Sequence, residues 1–178
     1  QKYQITLAML TPSVSRLLEP EHLPILKTVM LCGEPVLSED VCRWSPYVHL
    51  HNGYSPAEAG CINIMNSAMK EDYPNNIGYS LGVTPWVVHP DNHNQLLQVG
   101  EVGELIIQGH TVGRGYFGPR EKSQSTFIDA PTWIREFARE SYGSLYKTGD
   151  LVQFNTDGSM QFLGRKDSQV KLHGQRLE

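Results

Sequence analysis

The segment from Lys27 to Asn52 constrains the fold more than any other part of the chain. The run "KTVMLC" reads as a short buried strand and "GEP" as a turn. "SEDVCRW" reads as a helix with Ser38 as N-cap and acids in its first turn, and "YVHLHN" reads as a second strand. Strand, helix and strand in this order imply a parallel pair joined by a right-handed crossover. In such sheets ligands lie beyond the carboxyl ends of the strands. The stretch "HNGYSPAEAG", residues 51–60, sits at such an end. Its glycines and proline suit a turn, but a turn does not require the asparagine, aromatic ring and carboxylate placed among them.

After Ile77 the pattern changes to short apolar runs separated by Gly, Pro, Asn and Asp, as in "TPWVVHP", "GELIIQG" and "LVQFNTDGSMQFLG". This half is expected to be mainly antiparallel β, and "VQFNTDGSMQF" is its clearest hairpin, turning at Asp157 and Gly158. Within "APTWIREFARESYG", Trp133, Ile134, Phe137 and Ala138 form a helical face that ends at Gly143. "GELIIQGHTVGRGYFG" lacks the lysine of a phosphate loop and the spacing of a dinucleotide fingerprint. Gly103, Gly109, Gly113 and Gly115 therefore read as bends in a barrel-like sheet.

At 178 residues the chain can bury roughly 70% of its unfolded surface. Its 15 Lys and Arg against 19 Asp and Glu give a net charge of -4, which disfavours nucleic acid or an anionic membrane as a bulk partner. Any phosphate must be bound locally. Cys32, Cys42 and Cys61 have neither disulfide-framework nor zinc spacing, and Cys32 and Cys61 are expected to be small buried hydrophobes in a reducing cytoplasm. No apolar run reaches membrane-spanning length and no signal peptide is evident. The chain starts at Gln1 and stops in "KDSQVKLHGQRLE", still patterned like structure, so a fragment is expected.

Two further stretches have open readings. In "LYKTGDLV", Asp150 is either an ordinary turn residue or a carboxylate at a strand end, able to accept hydrogen bonds from both hydroxyls of a ribose. In "GRKDSQVKLHGQR", Val170 and Leu172 alternate as in a strand, with the charges either solvated or facing phosphate. His49 and His51 share a strand face, but no third ligand follows at metal-like spacing. No GxSxG elbow supports a hydrolase triad.

Taken in order, "NGYSPAE", "GELIIQGHTVGRGY", "YKTGDLV" and "GRKDSQVKLHGQRLE" resemble the adenylation domains of nonribosomal peptide synthetases, within the adenylate-forming superfamily. The resemblance covers residues 52–178, and residues 1–51 fit the segment preceding the first motif. It implies an α/β fold: the end of a flavodoxin-like αβ subdomain over residues 1–76, then a distorted antiparallel β-barrel over 77–163. A hinge and the start of a small mobile lobe would occupy 164–178. The phosphate loop, the first αβ sheet and most of the small lobe would lie outside the chain, so the isolated chain is expected to be inactive in pyrophosphate exchange.

The implied reaction joins an amino acid to ATP as aminoacyl-AMP with release of pyrophosphate, then passes the acyl group to the phosphopantetheine thiol of a peptidyl carrier domain. Flanking synthetase domains are further implied partners. Such chemistry relies on positioning and on neutralising phosphate charge with Mg2+ and basic groups. By the motif match, Asn52 would bond the adenine edge and Tyr54 would pack on its face. Gly53 and Ser55 complete the same nucleotide-contacting loop, and Glu58 would hold Mg2+. Asp150 would accept the ribose hydroxyls, and Arg165 would approach the ribose from the hinge side. Asp167 matches the hinge position, and Lys171 would face the active site only in the thioester-forming state. Glu58 and Lys171 are the implied catalytic groups.

Where the family usually reads Gly-Pro-Thr-Glu, this chain has Ser55, Pro56, Ala57 and Glu58. Ala57 cannot donate the threonine hydroxyl, so that hydrogen bond is either lost or supplied by another group such as Ser55 or water, and a Cβ at Ser55 conflicts with a turn that uses positive φ. The acyl pocket would be walled by Met9, Met30, Cys32, Gly53, Cys61 and Ile62, an apolar lining that suggests a bulky or modified apolar amino acid. Two other readings compete: an acyl-CoA-forming ligase of the same superfamily, which the last motif resembles less, and a noncatalytic excised subdomain.

Overall fold

The computed structural model describes residues 3–118, 120–137, 143–167, 170–172 and 175–177. Its first part is the anticipated parallel unit. Strand β1 (Leu7–Leu10) is followed by α1 (Pro12–Ser15), β2 (Thr28–Cys32), α2 (Ser38–Trp44) and β3 (His49–Tyr54), with β1, β2 and β3 paired in parallel. Strand alternation sends Val29, Leu31 and Leu50 to one face, where Val36, Val41 and Trp44 close a core. The opposite face carries half-buried Met30, Cys32 and His51 and the largely exposed Met9.

Helix α2 begins one residue earlier than the sequence suggests. Leu37 is its N-cap and Ser38 is the first helical residue, with the Ser38 hydroxyl donating to the Glu71 carbonyl at 3.0 Å. Capping falls to Asp40, whose carboxylate reaches back to accept the Leu37 N–H at 2.9 Å. The same carboxylate, 1% exposed, accepts two hydrogen bonds from Arg16 at 2.7 Å each. This pairing, chiefly through its hydrogen bonds, raises the Arg16 guanidinium above its ordinary pKa. One buried acid thus joins α1 to α2. Asp40→Ala removes a cap and leaves a guanidinium without its fork, so a loss of about 2 to 4 kcal/mol is expected in urea unfolding of the intact protein. A loss below about 0.5 kcal/mol would show that the pair contributes little.

The second part is antiparallel. It comprises β4 (Ile64–Asn66), β5 (Asn76–Ser80), β6 (Thr84–His89), β7 (Asn92–Leu96), β8 (Val102–Gly109), α3 (Arg120–Thr126), β9 (Phe127–Ile128), α4 (Ile134–Phe137), β10 (Ser144–Phe154) and β11 (Met160–Arg165). One ladder runs in the order β1-β2-β3-β4-β5-β11-β10-β8-β6-β7, with β9 on β10. Strand β4 joins the second part to β3 of the first, and β5 carries the ladder onward, pairing through Tyr79 and Ser80 with β4 and through Asn76 and Gly78 with β11. Residue 77, where the sequence pattern changes, lies in β5, one strand after antiparallel pairing begins at β4. Both faces of the antiparallel sheet are covered: Leu105, Ile107, Tyr146, Val152 and Met160 pack with Tyr54, Ala59 and Ile64 on one side, and Val88, Ile106 and Leu145 pack with Trp133 and Ile134 on the other. Two-sided burial explains why "ELIIQG" does not alternate.

The β10–β11 hairpin turns as read: Asp157 Oδ1 accepts the Ser159 N–H at 2.9 Å, and Gly158 has φ 83°. Several other readings are corrected. Gly103 and Gly109 lie inside β8 rather than at bends, and a Cβ on Gly103 would meet the Val88 carbonyl oxygen at 2.3 Å, so close backbone approach is the reason for that glycine. Cys61 is exposed and Cys32 only half-buried, because Cys61 falls in the loop after β3 and Cys32 on the open face of the sheet. Helix α4 is a single turn over Ile134–Phe137, and Ala138 lies outside the described residues. Beyond β11, β12 (Val170–Leu172) and β13 (Gln175–Leu177) form a small antiparallel hairpin with Lys171 opposite Arg176, and the Lys171 side chain lies outside the described part. Among the described residues, no helix is long and apolar enough to cross a membrane.

Candidate nucleotide site

The carboxyl end of β3 delivers Asn52, Gly53 and Tyr54 side by side, and Ser55 follows. Facing them is a distorted stretch of β10. The pairing register between β8 and β10 shifts between Lys147 and Leu151, and the register between β10 and β11 shifts again after Leu151. Residues 148–150 therefore leave the pairing with β8, while Asp150 stays opposite Arg165 of β11; its carboxylate, in a residue 4% exposed, meets Tyr54 of β3. The two sides enclose a cavity of about 330 Å³, lined by Asn52, Gly53, Tyr54, Ser55, Asp150, Gly164 and Arg165. The Gly33–Val36 turn after β2 and Pro74, Asn75, Ile77 and Phe162 complete its wall.

Hydrogen bonds fix the polar end. The Tyr54 hydroxyl donates to Asp150 Oδ2. Arg165 Nη1 donates to Asp150 Oδ1 at 2.9 Å and to the Thr148 carbonyl at 2.7 Å. The remaining edge of the guanidinium donates to both Asp167 oxygens at 2.9 and 2.6 Å. Gly149, at φ 71°, has a reason here, since a Cβ would lie 2.8 Å from Arg165 Nη2. Burial, then the Asp150 charge and hydrogen bond, push the Tyr54 phenol well above its ordinary pKa, so it remains a donor. For Arg165 burial acts to lower the pKa, but the Asp167 hydrogen bonds and the Asp150 charge outweigh it and the net shift is upward. The guanidinium is a permanent cation at the cavity wall.

The remaining residues singled out from sequence are distributed as follows. Glu58 stands outside the cavity lining, on a short 3-10 turn over Ala57–Ala59, and accepts the Tyr116 hydroxyl at 2.6 Å. The Glu58 carbonyl accepts the Gly113 N–H at 2.8 Å, so the second glycine-rich stretch braces this turn. Ser55 does not serve as a spare donor: its hydroxyl donates to the Gly60 carbonyl and lies 2.9 Å from Asn63 Oδ1. The positive φ of the loop falls on Gly60, at 91°. On the open face, Met9, Met30 and His51 pair in one row of the ladder and Cys32 pairs with Gly53. A Cβ on Gly53 would meet Ile62 Cδ1 at 2.8 Å and Met30 Sδ at 3.2 Å. Met30, Gly53 and Ile62 are thus brought together, with Met9 and Cys32 beside them, whereas Cys61 is exposed.

Sequence reasoning missed Phe162, whose ring centroid lies 6.4 Å from that of Tyr54, and Tyr116, the partner of Glu58. Phe162 could have been sought from alternation in the hairpin, while Tyr116 carried no signal beyond its place in "GRGY". Among the described residues no group of three His, Cys, Asp or Glu is poised to hold a metal. A single carboxylate still suits Mg2+, which is usually held by one or two protein oxygens, substrate phosphates and water. Glu58 fits that use.

Residues 1–117 match the family model described as AMP-binding enzyme. The chain belongs to the AMP-binding enzyme family. As a member of this family it is 56% identical over 178 residues to nonribosomal peptide synthetase fmqC of Aspergillus fumigatus, an alignment covering 99% of this chain and 15% of that protein. It is 45% identical to AM-toxin synthetase AMT1 of Alternaria alternata, covering 98% of this chain and 4% of that protein. The chain therefore spans a small part of the curated relatives it matches. Among solved structures, holo-PA1221, an NRPS protein containing adenylation and PCP domains, aligns with a TM-score of 0.81 at 26% identity, over 97% of this chain and 30% of that one. The Vibrio cholerae adenylation domain AlmE, solved in complex with glycyl-adenosine-5'-phosphate, aligns with a TM-score of 0.76 at 26% identity, over 97% and 34% respectively. These likenesses place this AMP-binding enzyme among adenylate-forming proteins of peptide synthetases.

Proposed function

We propose that this chain supplies the nucleotide-facing and acyl-facing walls of an adenylation domain, which forms aminoacyl-AMP from ATP and an amino acid and loads a carrier-domain phosphopantetheine. The observation that carries the reading is the convergence of Asn52, Tyr54, Asp150 and Arg165 on one cavity. Tyr54 and Phe162 offer apolar rings to a base, Asn52 offers an amide to its edge, and Asp150 offers a buried carboxylate to ribose hydroxyls. Arg165 adds a fixed cation beside the ribose and, through Asp167, connects the site to the proposed hinge. Glu58 would hold Mg2+, which when bound neutralises phosphate charge, and Tyr116 would keep that carboxylate oriented. Lys171 is proposed to act from the segment beyond the hinge.

The acyl substrate is proposed to be apolar, because a Cβ on Gly53 would meet the apolar side chains of Met30 and Ile62. Their filling of the space above Gly53 favours a compact side chain over the bulky one suggested by residue sizes alone. An amino-acid panel in pyrophosphate exchange, run on the intact protein, is expected to select an apolar amino acid. Gly53→Ala should lower kcat/KM for that amino acid by about tenfold or more, since the new methyl meets two pocket side chains. Selection of a charged amino acid would overturn the pocket reading. Exchange with no amino acid, but with a carboxylic acid and CoA, would favour the acyl-CoA ligase.

A further inference from the structure

Glu104, on β8 beside the distorted stretch of β10, is 3% exposed, a depth at which a carboxylate requires partners. Its Oε1 accepts the Gly149 N–H at 3.3 Å, while Oε2 lies 3.6 Å from Lys166 Nζ and 3.8 Å from Lys147 Nζ. The ladder explains the first contact. With the register shifted between Lys147 and Leu151, Gly149 has no residue opposite it on β8, and its N–H turns to a side chain instead. Thr148 braces the same turn, its hydroxyl donating to the Leu105 carbonyl at 2.9 Å and accepting the Asp150 N–H at 3.0 Å. The lysine contact reaches the segment after β11. The Lys166 N–H donates to the Gly149 carbonyl at 2.8 Å, and its Nζ donates to the Pro90 carbonyl and lies 3.5 Å from Asp91 Oδ1. One buried carboxylate therefore holds the residue before Asp150 and the residue after Arg165.

We propose that Glu104 is a positioning residue of the nucleotide site, setting the turn that aims Asp150 at Tyr54 and Arg165 and clipping Lys166, just ahead of Asp167, to β8. The inference rests on reading the cavity as a nucleotide site. It separates into two halves by chemistry: the Gly149 hydrogen bond needs an acceptor, which glutamine also provides, whereas the lysine contacts need charge.

The test compares Glu104→Ala, Glu104→Gln, Lys166→Met and Asp150→Asn in the intact protein. The readouts are ATP titration by calorimetry, the KM of the amino acid in exchange, thermal melting, and amide hydrogen exchange over residues 164–167. Glu104→Ala is expected to raise the Kd for ATP by about tenfold, the cost of one lost charged hydrogen bond, with the amino-acid KM within about twofold. Glu104→Gln should raise that Kd by no more than about threefold, and both Glu104→Gln and Lys166→Met should speed amide exchange at 164–167 severalfold. If Asp150→Asn weakens ATP binding while Glu104→Ala leaves it within about twofold, the proposal is overturned and the nucleotide reading stands. If Asp150→Asn also leaves ATP binding unchanged, the nucleotide reading itself fails. Equal loss of ATP and amino-acid affinity with a lowered melting temperature would make Glu104 merely structural and overturn the proposal. Should Glu104→Ala not fold, Glu104→Gln and Lys166→Met decide, and unchanged amide exchange in both would overturn it.

Discussion

Asp150→Ala is expected to raise the Kd for ATP in the intact protein by roughly 30- to 900-fold, corresponding to about 2 to 4 kcal/mol. The size follows from the environment. The carboxylate is 4% exposed, and its two oxygens are already aligned by the Tyr54 hydroxyl and Arg165. Such an acceptor is preorganised, and water cannot replace it at full strength. The substitution also leaves Arg165, at 19% side-chain exposure, with the Thr148 carbonyl and Asp167 but without its inner carboxylate. Calorimetric titration with ATP checks the outcome, with a melting curve to confirm folding. An unchanged Kd in a folded variant would remove the ribose role from Asp150.

Gly78→Ala is expected to be the most damaging substitution for stability, costing about 4 kcal/mol or more, an exceptional value for a single methyl group. Gly78 has φ 86°, where an L side chain is already strained. A Cβ there would lie 2.0 Å from the Met65 carbonyl oxygen, 2.4 Å from its carbon and 2.5 Å from Asn66 Cα. All three are backbone atoms of the neighbouring strand, so no rotamer change relieves the clash. Because β5 lies between β4, which pairs with β3 of the parallel part, and β11 of the remaining antiparallel strands, separation of β4 from β5 would interrupt the ladder between them. Gly158→Ala is the matched control: φ is 83° but no atom lies within 4 Å, and only about 1 kcal/mol is expected from the backbone alone. Urea unfolding of the two variants decides; equal midpoints would show that Met65 and Asn66 yield.

Much of this architecture was legible locally. The strand, helix and strand between Lys27 and Asn52, the hairpin at Asp157 and Gly158, and the antiparallel character after Ile77 all follow from apolar spacing and turn chemistry, which report on neighbours a few residues apart. Ordered motifs extended that reach to Asn52, Tyr54, Asp150 and Arg165. Other features were invisible for identifiable reasons. Ser38 looked like the cap because serine commonly is one, yet Asp40 at the third helical position could both reach back to Leu37 and pair with Arg16 from another helix. Cys61 looked buried beside "INIM", but the turn around Gly60 places it on the surface.

By itself the sequence determined which segments become strands and turns, and which side chains with ligand chemistry stand at their ends. Tertiary structure alone decided that Tyr54 meets Asp150 across 96 residues, that Phe162 closes the wall, and that Glu104 occupies the gap in the β8–β10 ladder. The physical reason is the register shift. A bulge moves a side chain by redirecting the backbone against its partner strand, and that partner is remote in sequence, so no local periodicity records where Asp150 will point.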